Sequence, residues 1–214
     1  MWINFWNWFT KITAWPIQRM IFRTITYCED RSVQSRRIRG RGIIVSNHTA
    51  VFDYAAFLFV FFSRTIRTQM AEVLFEKKLL GWFLNRLGGI QVNRNTHEMS
   101  CMAKSEAVLK KGGVVLIFPE GRLARPGEDK PLPFKDGAAF LALSTDTPVI
   151  PVYTDGNYFT SGHAHVMIGK PMNLVDYIGD EPDTAEAVRK ATEAIRQRVI
   201  ELGGLLNERI AEEK

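Results

Sequence analysis

Residues 43–62 read IIVSNHTAVFDYAAFLFVFF. Ile43 to Ser46 is a short run of β-formers without polar alternation, the pattern of a strand buried on both faces. Tyr54 to Phe62 is apolar on every side. Its nine residues are too few to cross a bilayer, which takes roughly 20, so it reads as a buried helix. Between the two lie Asn47, His48 and Asp53. On one continuous helix, positions five apart diverge by roughly 140°, and His48 could not meet Asp53. With the strand ending at Ser46 and the helix beginning near Thr49 or Ala50, His48 sits in the turn. Asp53 then reaches back to it from the first turns of the helix, where the dipole favours a carboxylate. A buried aspartate in that place fixes the tautomer and orientation of an imidazole. The spacing also suits a packed histidine beside a dipole-matched aspartate, and the rest of the chain has to choose.

Outward from this stretch, strands and helices alternate. Strands are expected at 65–71, 90–92, 114–118, 148–154 and 163–169. Helices are expected at 73–87, closed by Gly88-Gly89, and at 96–111, 135–145 and 184–210. This order predicts an α/β fold, a mixed, mostly parallel sheet flanked by helices. The strongest strand, VVLIF (114–118), runs directly into Pro119, Glu120, Gly121 and Arg122. Charged residues beside a glycine at a strand end lie where open α/β sheets bind ligands. The glycine permits close backbone approach, and a guanidinium can grip a phosphate by its fork. The segment LGGIQVNR (87–94) ends a short strand in Arg94 in the same way. Taken singly, the first also reads as a surface turn with an exposed ion pair, and the second as a solvated strand-end arginine.

The N-terminus is different material. Four tryptophans fall within the first fifteen residues, and Trp2, Phe5, Trp6, Phe9 and Ile12 recur at three- and four-residue steps, the spacing of one helix face. Pro16 is expected to begin or bend a second helix. Lys11, Pro16, Arg19 and Arg23 interrupt any spanning run, and the order of bases and aromatics is not that of a secretory signal. Net charge is +5 for the 214 residues, but residues 1–41 hold eight Lys/Arg against two acids. Aromatics beside basic residues suit the headgroup zone of an anionic membrane. We therefore expect a membrane-associating helical segment at 1–41 and an α/β domain at 42–214. Packing of those aromatics on the protein's own core is the competing reading. The basic stretch 31–41 has no interleaved aromatics and no reader motif, so nucleic acid is not an expected partner. Cys28 and Cys101 fit neither a metal spacing nor a disulfide framework, and a reducing compartment is expected.

Four segments in this order resemble the blocks of the glycerolipid acyltransferase family, which contains the lysophosphatidate acyltransferases. NHTAVFD (47–53) is similar to its Asn-His-four-residues-Asp block, GGIQVNR (88–94) to its second, FPEGR (118–122) to its third and VIPVY (149–153) to its fourth. The third block departs from the family's usual form in that Arg122 follows Gly121 directly. That shorter form resembles domains that reacylate 2-acyl-glycerophosphoethanolamine, and Arg125 then becomes a second candidate for the phosphate contact. The resemblance implies transfer of a fatty acyl group from a thioester to a lysophospholipid hydroxyl, 1-acylglycerol-3-phosphate foremost. His48 would be the general base and Asp53 its orienting partner. Arg94, Glu120, Gly121 and Arg122 would hold the glycerol phosphate. Backbone amides at the start of the helix would stabilise the oxyanion, with Asn47 ordering the turn. Residues 54–62 and 79–90 would form an acyl tunnel. No metal or tightly bound cofactor is implied, and acyl-CoA or an acyl carrier protein would bring the acyl group. The enzyme would work at the cytoplasmic face of the inner membrane.

Overall fold

The computed structural model describes residues 2–93, 99–160, 162–180 and 183–213. A seven-stranded sheet is the frame. Its strands are β1 (Ile25–Cys28), β2 (Gly42–Ser46), β3 (Ile66–Ala71), β4 (Ile90–Val92), β5 (Val114–Ile117), β6 (Val149–Thr154) and β7 (His165–Ile168). Their spatial order is β1-β7-β6-β2-β5-β3-β4. The pairs from β6 through β4 are parallel, β6 and β7 are antiparallel, and β1 lies parallel to β7. The expected mixed, mostly parallel sheet is what forms.

Side-chain alternation divides the core. Ile43, Val45, Val115, Ile117 and Val149 face one side, where α7 (Gly137–Thr145) and α9 (Thr184–Glu212) cover them with Leu141, Val188, Ala191 and Ile195. Ile44, Val114, Leu116, Ile150 and Val152 face the other, where α3 (Asp53–Val60) brings Phe57 and Val60. A strand buried on both faces has no solvent side to mark with polar residues. That is why β2 and β5 read as unbroken apolar runs.

The outer face of α3 is covered in turn. Leu58 and Phe59 pack with Ala14, Phe62 and Phe83, under α1 (Trp2–Thr13), α2 (Trp15–Ile21) and α5 (Lys78–Leu87). A helix sandwiched between layers is apolar all round, as α3 is. The N-terminal pair is turned inside out relative to an ordinary surface helix. Asn7, Lys11 and Gln18 are its buried residues, while Trp2, Phe5, Phe9, Ile12, Ile17 and Met20 are exposed, Trp2 by 72% and Met20 by 80%. Two of these buried side chains donate across to backbone carbonyls. Asn7 Nδ2 donates to the Leu87 carbonyl at 2.7 Å. Lys11 Nζ donates to the carbonyls of Phe62 at 3.1 Å and Arg64 at 2.5 Å, just past α3. Burial pulls the Lys11 ammonium down to about 8. The last carbonyls of a helix lack intrahelical donors, and here α1 supplies donors at the end of α5 and just past α3.

Three features differ from the sequence expectation. Ile25–Cys28, inside the stretch read as an N-terminal helical segment, is an edge strand beside β7; four half-buried residues carry too little pattern to declare a strand. The expected helix 73–87 is broken at Lys77, whose extended backbone (ψ 110°) separates α4 (Val73–Glu76) from α5. The break lets Gly81, Leu84 and Leu87 of α5 face inward while Val73, Leu79 and Trp82 remain exposed. The helix expected at 96–111 is α6 (Met99–Lys110), and 96–98 lie outside the described residues. A one-turn helix, α8 (Val175–Ile178), fills a stretch given no element. Among the described residues no helix is long and apolar enough to cross a membrane.

Candidate active site

The end of β2 delivers the first residues of the site. Asn47 is clamped to β6 by a reciprocal pair, its Nδ2 donating to the Thr154 carbonyl and its Oδ1 accepting from the Thr154 amide, both at 2.9 Å. Asn47 therefore orders the turn. The helix after it starts at Asp53 rather than near Thr49 or Ala50, and the reason lies in Asp53 itself. Its Oδ2 accepts from the amides of Thr49 at 2.7 Å and Ala50 at 3.0 Å, and its Oδ1 from the Thr49 hydroxyl at 2.9 Å. These bonds hold 49–52 as a loop wrapped around the carboxylate.

His48 Nδ1 lies 2.8 Å from the same Oδ2. Asp53 is fully buried, whereas the His48 side chain keeps 20% of its surface. With Nδ1–H donating to the aspartate, Nε2 is the nitrogen left to act as acceptor. The ring stacks on Phe118, centroids 4.6 Å apart and planes 23° from parallel. Imidazole is thus held by a carboxylate at one edge and an aromatic face beneath. Of the backbone amides that follow the histidine, those of Thr49 and Ala50 already donate to Asp53.

Glu120 is buried, and both its oxygens are occupied. Oε1 accepts the His48 amide at 2.7 Å and Oε2 the Leu132 amide at 2.9 Å. Burial pushes its pKa up, against the pull of these two donors. The carboxylate thus ties the β2 turn to the 124–134 loop. A phosphate would also be repelled by it, so its geometry is that of a positioning residue. Glu120→Gln should replace one acceptor by an amide facing a buried N–H, costing about 1–3 kcal/mol of stability. Urea unfolding of the purified protein measures this; an unchanged midpoint would show that the tie carries no weight.

Gly121 takes φ 68°, and a methyl group there would press on Cε and Nζ of Lys135. Arg122 is exposed and forked onto Glu128, Nη1 to Oε2 at 2.6 Å and Nη2 to Oε1 at 2.8 Å. The Arg122 hydrogen bond holds the Glu128 carboxyl down to about 2, so the pair is ionised across the working pH range. Arg125, the second arginine considered, donates its amide to Glu128. Arg94 lies outside the described residues. The structure therefore brings His48, Asp53 and Glu120 together, with Gly121 and Arg122 on the adjoining loop. The region 79–90 does not form a tunnel wall throughout, because Leu79 and Trp82 face outward.

Sequence reasoning passed over several neighbours. Phe118 stood in the quoted block without a role, although its place two residues before Glu120 put it at the strand mouth. Lys135, lying across Gly121, carried no signal in the sequence. Gly156 has φ 68° and packs so tightly on Thr49 that a Cβ would overlap the threonine side chain. Tyr158 places its hydroxyl 3.2 Å from Thr154 Oγ1; burial and the Asp53 charge both push its ionisation well up, so it stays a neutral donor. Residues 156 and 158 meet 47–53 only through the fold.

The acyltransferase family model matches residues 24–155, which contain His48, Asp53, Glu120, Gly121 and Arg122. A 1-acyl-sn-glycerol-3-phosphate acyltransferase of Bacillus subtilis is 31% identical over 140 residues, 63% of this chain and 67% of that protein. The beta form of Homo sapiens is 31% identical over 59% of this chain and 49% of its own length. The chain thus spans about two thirds of the first of these relatives and about half of the second. Among solved structures, the 1-acyl-sn-glycerophosphate acyltransferase of Thermotoga maritima superposes with a TM-score of 0.63, at 22% identity, over 94% of this chain and 79% of that one; the likeness is one of fold. With the motif order, the sheet and the family match in agreement, the chain belongs to the acyltransferase family and is a glycerolipid O-acyltransferase.

Proposed function

We propose that this enzyme moves a fatty acyl group from an acyl thioester to the free hydroxyl of 1-acylglycerol-3-phosphate, giving phosphatidic acid. The observation that carries the reading is the 2.8 Å bond from His48 Nδ1 to a fully buried Asp53, on an imidazole that is itself still reachable. Nε2 takes the proton of the lysolipid hydroxyl as its oxygen attacks the thioester carbonyl carbon. The tetrahedral intermediate collapses by breaking the C–S bond. The imidazolium, steadied by Asp53, returns the proton to the departing thiolate. The products are an ester and a thiol, and His48 ends as it began. A thioester is activated enough that no covalent enzyme intermediate is required, and the scheme asks for no metal or further cofactor. Either acyl-CoA or an acyl carrier protein can deliver the thioester.

Arg122, with Arg94 and Lys135, would meet the phosphate, and the anion would compete with Glu128 for the Arg122 fork. Gly121 admits the headgroup close to the chain. Reacylation of 2-acyl-glycerophosphoethanolamine is the second reading. It is favoured by the pairing of Arg122 with Glu128, which already balances that charge. The exposed aromatic face of α1 and α2, with Leu79 and Trp82 beside it, supports peripheral attachment to an anionic membrane surface on the cytoplasmic side. A mixture of lysolipids with one labelled acyl thioester tests the assignment. Labelled phosphatidic acid is the expected product. Labelled phosphatidylethanolamine alone would replace the first reading by the second, and free fatty acid alone would reject both.

A further inference from the structure

We propose that the groove between α2, β1 and the C-terminal end of α3 binds the phosphate headgroup of an anionic phospholipid, at a site separate from the reaction centre. Two cavities adjoin there. One, of about 420 Å³, is lined by Arg19, Arg23, Arg36 and His163 together with Thr24. The other, of about 520 Å³, is lined by Ile12 and Phe62 together with Arg37. Trp15, Arg36 and Val60 line both. Their sizes are those of ligand sites. Among the described residues, no Asp or Glu lines either cavity. A concave surface carrying four guanidinium groups and no carboxylate concentrates positive potential and draws an anion.

The polar cavity is built for such a ligand. Arg36 donates from Nε to the Val60 carbonyl and from Nη2 to the Phe59 carbonyl, both at 2.7 Å. Those bonds hold the guanidinium in place at the end of α3, so little freedom is lost when it grips a phosphate. Arg23, at φ 43°, turns the chain from α2 into β1. Thr24 Oγ1 is buried and has no hydrogen-bond partner among the described residues. A buried hydroxyl without a partner costs about 1–3 kcal/mol, and this one belongs to a residue lining the basic cavity. The apolar cavity next to it suits the first methylenes of an acyl chain. A free phosphate would use only half of this pair; a phospholipid uses both. One wall is α1 and α2, whose exposed apolar residues form the face already assigned to the membrane.

The site is not the catalytic one. His48, Asp53, Glu120 and Arg122 line neither cavity. Asp53 begins α3 and Val60 ends it, which sets them roughly 10 Å apart along the helix. A lipid held at the far end of α3 would fix the attitude of the enzyme on the bilayer and make its retention depend on lipid charge.

The inference rests on the membrane reading, and the test separates the two. The full chain is floated with phosphatidylcholine vesicles, with and without phosphatidylglycerol. The wild-type protein should bind the charged vesicles more tightly. Arg19→Gln with Arg37→Gln should lose roughly tenfold or more of affinity for them, and Arg19→Lys with Arg37→Lys should recover part of the loss. Arg31→Gln with Arg39→Gln removes equal charge outside the groove and should leave most of the preference. Equal losses in the two glutamine pairs would mean diffuse attraction and overturn the site. Equal wild-type binding to both vesicles would also overturn it while leaving the membrane reading in place. Flotation with neither would remove the membrane reading and the groove together. If millimolar inorganic phosphate abolished the preference for phosphatidylglycerol, the groove would be a free-phosphate site and the lipid assignment would fall.

Discussion

His48→Ala should lower the rate of acyl transfer by about 10²–10⁴-fold while the protein stays folded and still floats with vesicles. Loss of the ring takes one donor from Asp53, but the amides of Thr49 and Ala50 and the Thr49 hydroxyl remain on the carboxylate. The loop around Asp53 therefore persists without the imidazole. Single-turnover transfer, with circular dichroism as the control of fold, reads the effect; retention of a tenth or more of the rate would reject His48 as the base. Asp53→Asn should behave differently. A carboxamide turns an N–H₂ toward groups that are themselves donors, so the 49–52 loop should loosen and the melting temperature fall along with the rate. An Asp53→Asn protein with normal stability and normal rate would remove the positioning role.

Phe5→Asn with Phe9→Asn should weaken vesicle binding by roughly 100-fold. The estimate takes about 1.5 kcal/mol for each apolar side chain returned to water. Both residues are exposed and stack on each other, centroids 6.2 Å apart, so their replacement leaves the core untouched. Flotation of the full chain measures the loss, and undiminished binding would reject the aromatic face as the membrane contact. Deleting residues 1–27 is the wrong experiment. It would take away Asn7 and Lys11, which satisfy carbonyls at the end of α5 and past α3, as well as most of β1, and it would uncover Leu58 and Phe59. The expected product is an aggregating protein, because the helices proposed to meet the membrane also close the fold.

Much of the site was legible in the chain because its parts are local. His48 and Asp53 are five residues apart, and a strand-to-helix turn is enough to bring them together. Glu120 and Gly121 follow the most apolar strand, whose burial needs no partner to recognise. The role of Glu120 was not legible. Its oxygens accept from the amides of His48 and Leu132, 72 and 12 residues away; the parallel pairing of β2 with β5 brings the first to it, and the fold of the 124–134 loop the second. Lys135, Gly156 and Tyr158 were missed for the same reason.

By itself, the order of residues determined the alternation of buried strands and helices, the His–Asp turn and the unusual aromatic start. Those are short-range properties, set by periodicity, residue size and charge. The tertiary structure alone decided which way the N-terminal helices face. Helical spacing marks an apolar stripe but does not say whether that stripe turns inward. The answer came from Asn7 and Lys11, since a helix whose polar residues satisfy buried carbonyls has to leave its aromatics outside. The same packing decided that Glu120 binds chain amides, and that Arg19, Arg23, Arg36 and Arg37 line two adjoining cavities.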